Sequence, residues 1–187
     1  MAEIDKEKWL YFHPQEKKEA LGAELLENIY HMKQQNQPLV FLCIGTDRVT
    51  GDCLGPLVGH RLIQNDFRKK EWDVFGTLKK PVHAGNLDDV TCRLSQMRPK
   101  PFVVAVDACL GDKDHIGLVT LSKNGIFPGQ GVNKHLPLIG DLSITGIVNS
   151  AGRAGLHRIQ STRLSLVMDL ADYIATEIEW VVKKFFR

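Results

Sequence analysis

The stretch LVFLCIGTDRVTGDCLGP, residues 39–56, decides how the rest of the chain can be arranged. Residues 39–44 form an apolar, partly β-branched run of the length expected for a strand buried on both faces. Gly45 ends that run, a polar loop follows, and apolar residues recur at helical spacing from Leu54 onward. Pro56 stands near the start of this helix, where proline costs a helix least. The order strand, polar loop, helix is typical of an α/β sheet, which binds its ligands at the carboxyl ends of its strands.

Length and composition limit the classes to which the protein can belong. A chain of 187 residues with a formal net charge of +2 and dispersed basic residues predicts a single domain and no nucleic-acid partner. Its cysteines form no CxxC pair and no zinc-binding spacing, which fits reduced thiols. We find no signal-peptide pattern and no apolar run of membrane-spanning length. The sequence therefore predicts a cytoplasmic protein without a membrane partner.

The remaining chain alternates helices and strands within one unit, residues 1–187. Helices are expected over residues 14–36 (the first helix), 53–67, 87–97 and 161–187 (the closing helix), after an aromatic N-terminal arm at 1–13. Strands are expected over residues 73–77, 102–106, 116–121 and, mixed with a short helix, 141–149. Asn86 is the predicted N-cap of the third helix. Too few residues separate strand 116–121 from its predecessor for a helical crossover, so it should run antiparallel to that strand or lie at an edge of the sheet. The fold class is α/β, a three-layer α/β/α sandwich around a mostly parallel sheet.

Two aspartates mark the edge of this predicted sheet. Asp107 directly follows strand 102–106, and Asp52 stands at the far end of the polar loop, where the next helix begins. If the two strands are parallel neighbours, both carboxylates lie at one edge. Two close acids cannot both ionise freely, so the pair could serve as base and acid for water attack on an amide, or could grip a divalent metal ion. The structural alternative makes Asp52 a helix cap and Asp107 a partner of its own loop. Spacing alone leaves both open.

Other polar residues near this edge are weaker candidates. The candidates for substrate binding are Asp47, Arg48, Thr50, Ser143, Thr145 and Asn149. For Arg48, a salt bridge to Asp47 or Asp52 is favoured over a contact with a substrate carboxylate. The hydroxyls and the amide could line the cleft or could satisfy turn backbone. Common motifs are absent from the sequence: it holds no GxGxxG, GK[ST], GxSxG or HExxH pattern.

Three segments, IGTDRVTGDCLGPLVG, VVAVDACLG and GDLSITGIVN, resemble the YyaC family of proteins associated with sporulation. The similarity spans most of residues 39–149. That family is similar to the bacterial spore germination protease and, more distantly, to the hydrogenase maturation endopeptidases of the HybD-like fold. The resemblance implies a phosphorylase/hydrolase-like α/β/α sandwich with a mixed five-stranded sheet that contains one antiparallel strand.

The resemblance also implies roles for particular residues. The catalytic aspartates of the germination protease match Asp52 in GDCLGP and Asp107 in AVDACLG. It implies a peptidase without a cofactor that acts on protein or peptide substrates, such as small acid-soluble spore proteins, in the sporulating cell or forespore. In the maturation endopeptidases, acids at the matching places and a further histidine bind a metal, and His135 is the candidate here. Apolar residues 9–12 and 185–186 could form a homo-oligomer interface.

Three functions therefore stay open. The leading hypothesis is a peptidase that uses the Asp52/Asp107 pair. A second is a catalytically inactive binding or regulatory protein of sporulation that kept the fold and both acids for stability. A third is a metal-dependent, maturation-type endopeptidase with Asp52, Asp107 and His135 as ligands.

Overall fold

A computed structural model describes residues 9–15, 19–64, 72–127, 138–152 and 155–186. Over these residues, the strands are β1 (Trp9–Phe12), β2 (Leu39–Cys43), β3 (Trp72–Phe75), β4 (Phe102–Gly111), β5 (Val119–Ser122) and β6 (Leu142–Ser150). The α-helices are α1 (Ala20–Met32), α2 (Leu54–Gln64), α3 (Leu87–Gln96), α4 (Gly155–Gln160) and α5 (Leu164–Phe185). No helix among these is both long enough and apolar enough to cross a membrane.

The strands form one sheet in the order β1-β5-β6-β4-β2-β3. β3, β2, β4 and β6 run parallel, and β5 is antiparallel to both of its neighbours. The predicted α/β class and its antiparallel strand are confirmed. The sheet has six strands instead of five because β1, from the predicted N-terminal arm, pairs with β5. This pairing satisfies backbone groups that β5 would otherwise leave open at an edge.

Two apolar clusters on opposite faces of the sheet make the three layers. On one face, α1, α2 and α5 bury Leu25, Val58 and Ile174 against the strands. On the other face, α3 buries Leu87 and Leu94. The residues of β2 alternate between the two clusters, and the whole strand is buried. The prediction that this apolar run forms a strand buried on both faces is therefore confirmed.

Tertiary contacts changed the bounds of several predicted elements. β4 continues through Asp107 to Gly111, because β6 is a full strand that pairs with β4 beyond the end of β2. Asp107 therefore lies inside a strand and does not follow one. The first helix begins at Ala20, where Glu177 of α5 accepts the N–H groups of Glu19 (3.0 Å) and Gly22 (2.6 Å). This buried carboxylate satisfies donors at the start of α1. The short helix α4 was not predicted.

Glycines let α2 pack directly on the backbone of β2 and β3. A Cβ atom at Gly55 would lie 2.1 Å from the carbonyl oxygen of Ile44, and one at Gly59 would lie 1.9 Å from that of Gly76. Neither distance is possible for a side chain, so the helix axis is closer to the sheet than any other residue type would allow. The start of α2 is thereby held against the carboxyl end of β2.

Replacing Gly59 tests this contact. In an exposed helix, Gly→Ala stabilises by about 1 kcal/mol through helix propensity. Gly59→Ala is expected to have the opposite sign and to lower the free energy of unfolding by about 2–3 kcal/mol, because the new methyl group overpacks the interface. Urea denaturation followed by circular dichroism measures the change. Ser165→Ala, at an exposed position of α5, is the control and should leave the stability nearly unchanged. A stabilised Gly59→Ala variant would contradict the close approach.

Candidate active site

The loop between β2 and α2 folds back on the end of β2. Asp52 belongs to a short 3₁₀ turn, Thr50–Asp52, directly before α2. The N–H of Thr46 lies 3.0 Å from both the carbonyl oxygen and Oδ2 of Asp52. Gly45 has a φ of 136°, and a Cβ atom there would lie 2.0 Å from the carbonyl oxygen of Asp52. Only glycine permits this fold of the loop, which places the half-buried Asp52 carboxylate beside the edge of the sheet.

Asp107 lies on β4 at the same edge. The N–H of Ile44 donates to the carbonyl oxygen of Val106 (2.7 Å), so Asp107 stands one residue beyond the last residue that β4 pairs with β2. Its Oδ1 accepts the N–H of Ala108 (2.8 Å). The parallel pairing of β2 and β4 thus brings the two aspartates together, as the order of strand and loop predicts.

The two carboxyl groups have different proton affinities. Burial raises the pKa of Asp52 from its ordinary value of 3.8 to about 6, although the Thr46 N–H and the nearby His83 both favour its charged form. Burial, and then the charge of Asp52, raise the pKa of Asp107 well above its ordinary value. The pair therefore favours a state in which Asp52 is ionised and Asp107 is protonated, because burial and the charge of Asp52 both raise the pKa of Asp107. This is the state in which one acid can accept a proton while the other donates one.

His83 is a residue of this site that sequence patterns did not identify. Val82 forms a parallel bridge with Ile44, and its carbonyl oxygen accepts the N–H of Gly45 (2.7 Å). The chain thus extends the sheet past β3 and places the half-buried His83 at the edge that carries the aspartates. The histidines of the sequence are scattered, so no spacing marked this one. The pairing of Val82 alone brings it to the site.

Asn86 is the N-cap residue of α3, but its side chain holds the His83 segment. Its side chain makes no capping hydrogen bond to the helix. Its Oδ1 accepts the N–H of His83 (2.8 Å), and its Nδ2 donates to the carbonyl oxygen of Pro81 (3.0 Å). The predicted N-cap position is therefore confirmed, although the side chain makes no capping hydrogen bond. The amide can satisfy both a donor and an acceptor of the preceding turn, whereas a cap would use its oxygen alone.

Asp47, Arg48 and Thr50, the loop candidates for substrate binding, lie along the rim of the site. Asp47 and Arg48 are exposed, and Thr50 is half-buried. The ion pairs formed among the described residues do not include Arg48. The favoured salt bridge to Asp47 or Asp52 is therefore wrong. Only the Arg48 main chain is tied to the loop, through its N–H and Oγ1 of Thr46 (3.3 Å).

The three candidates on β6 are bonded to other parts of the protein. Ser143 is fully buried, and its hydroxyl donates to the carbonyl oxygen of Asn124 (2.8 Å). Thr145 lies opposite Asp107 in the sheet, and its hydroxyl shares a hydrogen bond with that of Thr120 (2.6 Å). Asn149 donates through Nδ2 to the carbonyl oxygen of Arg158 on α4 (2.9 Å). These side chains brace the strands around Asp107 and are already engaged without a ligand.

Thiols near the aspartates are held in their protonated form. Burial raises the pKa of Cys109 to about 11, with the Asp107 charge adding to it. Burial likewise raises the pKa of Cys53. A thiol must ionise to act as a nucleophile, so neither cysteine is prepared for covalent catalysis. The carboxyl pair is the better-prepared chemical group at this edge.

The metal site that the maturation endopeptidases imply does not fit the described part of the chain. His135, the predicted third ligand, lies outside the described residues. Within the described ranges, no group of three His, Cys, Asp or Glu side chains is arranged to hold a metal ion. The two aspartates alone are fewer protein ligands than such a site requires. No reaction step is assigned to a metal here.

The raised pKa values predict how stability depends on pH. Between pH 3.8 and about 6, the folded protein retains a proton on Asp52 that the unfolded chain has released. Asp107 extends this window upward, so the free energy of unfolding should fall as pH rises through it. Asp107→Asn removes the cost of keeping this buried acid at a raised pKa, so it is expected to raise Tm by about 2–5 °C at pH 8 and by less at pH 4.

Differential scanning calorimetry at both pH values measures the effect. Asp169→Asn, at an exposed position of α5, is the control for simple loss of a charge. A lower Tm for Asp107→Asn at pH 8 would show that the two acids do not disfavour each other.

Comparison with known proteins agrees with this architecture. The family model described as "Protein of unknown function (DUF1256)" matches residues 11–177. The chain is 46% identical over 143 residues to "Uncharacterized protein YyaC" of Bacillus subtilis (strain 168), covering 76% of this chain and 69% of that protein. Its fold is similar to the crystal structure of the [NiFe] hydrogenase maturation protease HycI from Thermococcus kodakarensis KOD1. That match has a TM-score of 0.52 and 18% identity, and it covers 86% of this chain and 99% of the other. The resemblance to the YyaC family is thus confirmed, and the chain belongs to the DUF1256 family.

Proposed function

We propose that this protein is a peptidase in which the Asp52/Asp107 pair activates a water molecule for attack on an amide. The observation that carries the proposal is the unequal proton affinity of two carboxyl groups at the ends of neighbouring parallel strands. An ionised and a protonated acid at one edge are the two groups that hydrolysis of an amide requires.

The unequal proton affinities also assign a catalytic role to each aspartate. Asp52, with the lower pKa, accepts a proton from the water as its oxygen bonds to the carbonyl carbon. Asp107, whose protonated form is favoured by burial and by the charge of Asp52, donates its proton to the leaving nitrogen as the C–N bond breaks. The products are a carboxylic acid and an amine. Afterwards the proton is on Asp52, and its return to Asp107 restores the pair.

Protein or peptide chains are the substrates that we propose. The fold is that of a maturation protease, but the likeness at 18% identity concerns the fold alone. From the resemblance to the spore germination protease we propose a role in sporulation, with small acid-soluble spore proteins as candidate substrates in the sporulating cell or forespore. The exposed rim of Asp47 and Arg48 offers both charges to such a chain.

Mass spectrometry of small acid-soluble spore proteins incubated with the protein tests the proposal. The wild type is expected to produce defined fragments. Asp52→Asn and Asp107→Asn should each reduce the initial rate by about 10²–10⁴-fold, because each variant removes one partner of the proton transfer. A chelator should have no effect. Asp169→Asn, remote from the site on α5, is the matched control and should cleave like the wild type.

Each contrary outcome points to a different function. Undiminished cleavage by both folded variants would contradict the aspartate mechanism. Cleavage that stops with chelator and returns with added metal would favour the metal-dependent hypothesis. No cleavage by the wild type, of spore proteins or of a diverse peptide library, would favour the inactive binding protein.

A further inference from the structure

One edge of β4 is left without a neighbouring strand at the point where β2 ends. The last hydrogen bond from the β2 side runs from the N–H of Ile44 to the carbonyl oxygen of Val106 (2.7 Å). From Asp107 to Gly111, β4 pairs with β6 and no longer with β2. Burial falls at the same point, since residues 104–106 are buried and residues 107–111 are half-buried. This edge is therefore partly accessible, and it begins at one of the two aspartates.

The main-chain groups of β4 alternate between its two edges. Val106 accepts its N–H from the β2 side. Val103 and Gly111 accept N–H groups from the residues just before and just after β6 (2.7 Å each), so they face the opposite side. The register shift in the pairing with β6 leaves this alternation intact, because Gly111 still faces β6 beyond it. Ala108 and Leu110 therefore direct their N–H and C=O groups to the edge that β2 has left.

The hydrogen bonds of Ala108 and Leu110 show which of these groups are free. The N–H of Ala108 donates to Oδ1 of Asp107 (2.8 Å). The carbonyl oxygen of Ala108 and both main-chain groups of Leu110 form no hydrogen bond within the part of the chain that the structure describes. The free groups follow one another as acceptor, donor and acceptor, which is the order that a neighbouring strand pairs with. The Asp107 carboxyl lies at the start of this row, through its bond to Ala108.

The chain that leaves β2 makes its hydrogen bonds elsewhere. Gly45 donates to the carbonyl oxygen of Val82, on the other side of β2, and Thr46 donates back to Asp52. The Leu110 side chain contacts α4, since a Cβ atom at Gly155 would lie 3.3 Å from its Cδ1. That contact uses the side chain and leaves the main chain unpaired. An extended chain laid along this edge would continue the sheet and pass beside the aspartate pair.

We propose that the free edge of β4, from Ala108 to Leu110, binds the substrate as an added strand. The substrate class is then an extended, unfolded polypeptide segment that is recognised through its main chain. This inference rests on the proposed peptidase function and deepens it. Alternating donors and acceptors at strand spacing match a polypeptide main chain whatever its side chains. Leu110 lies about 10 Å along the strand from Asp107, at about 3.3 Å per residue, so the peptide group presented to the aspartates is within two or three residues of the bound part.

Peptide binding to Asp52→Asn, followed by proton–nitrogen NMR, tests the inference without cleavage. The probes are three pools of random, proline-free hexapeptides that are acetylated and amidated at their ends. One pool is unmodified, one is N-methylated at positions 3 and 5, and one at positions 3 and 4. An added strand must offer two N–H groups, two residues apart, to the carbonyl oxygens of Ala108 and Leu110. Methyl groups at positions 3 and 5 leave such a pair on the peptide, whereas the same number at positions 3 and 4 leave none.

The pairing of the edge predicts a different response to each pool. The unmodified pool and the pool methylated at 3 and 5 should shift the Leu110 amide resonance downfield and slow its hydrogen exchange. The pool methylated at 3 and 4 should bind about tenfold more weakly, because two hydrogen bonds are lost. The pool methylated at 3 and 5 is the matched control for the bulk of the methyl groups.

Either of two results would overturn the inference: no change at the Leu110 amide with any pool, or equal binding of the two methylated pools. The second would mean that side chains, and not an added strand, hold the peptide. Binding at Leu110 by a wild type that cleaves nothing would reject the proposed peptidase and leave the peptide-binding edge in place. Defined cleavage without a response at Leu110 would keep the peptidase and reject the added strand.

Discussion

The close contact of α2 with the backbone of β2 and β3 is the constraint on which the site depends. Gly55 and Gly59 remove the side chains that would hold the helix away from the sheet. Because α2 starts so close to the end of β2, the turn that precedes the helix must cross the edge of the sheet. That turn carries Asp52, and the glycine at position 45 lets the loop close over it. The first acid is therefore placed by steric contact, before any charge is considered.

The second constraint is electrostatic, and it lowers the stability of the fold. Burial raises the pKa of both carboxyl groups, and the charge of Asp52 raises that of Asp107 further, which costs stability wherever both would ionise. The surrounding backbone offsets part of this cost, since Asp52 accepts an N–H from Thr46 and Asp107 accepts one from Ala108. A pair maintained at the expense of stability, at the edge where α/β folds bind ligands, is better explained by chemistry than by folding.

The polar residues of β6 stabilise the strands next to the site. Ser143 and Thr145 are buried and bonded across strands, and Thr145 lies directly beside Asp107. Hydroxyls with fixed partners do not compete for the carboxyl groups, so they tie β6 to β5 and to the turn after β5 without neutralising the pair. The exposed Arg48 has the opposite character: its guanidinium is on the rim and remains available to a ligand.

The sequence by itself determined the layers of the fold and identified the two aspartates of the candidate site. An all-apolar run before a polar loop requires a doubly buried strand, and short connections force β5 to be antiparallel, so both followed from local pattern and chain length. Asp52 and Asp107 were found because each stands near the end of such a run. Tertiary structure decided the rest. The extension of β4 past Asp107 depends on pairing with β6, and the place of His83 depends on the bridge between Val82 and Ile44. The unequal proton affinities depend on burial and neighbouring charge. Contacts between residues distant in the chain leave no periodic trace in the sequence, which is why only the folded protein shows the burial and the neighbouring charge that raise the two pKa values.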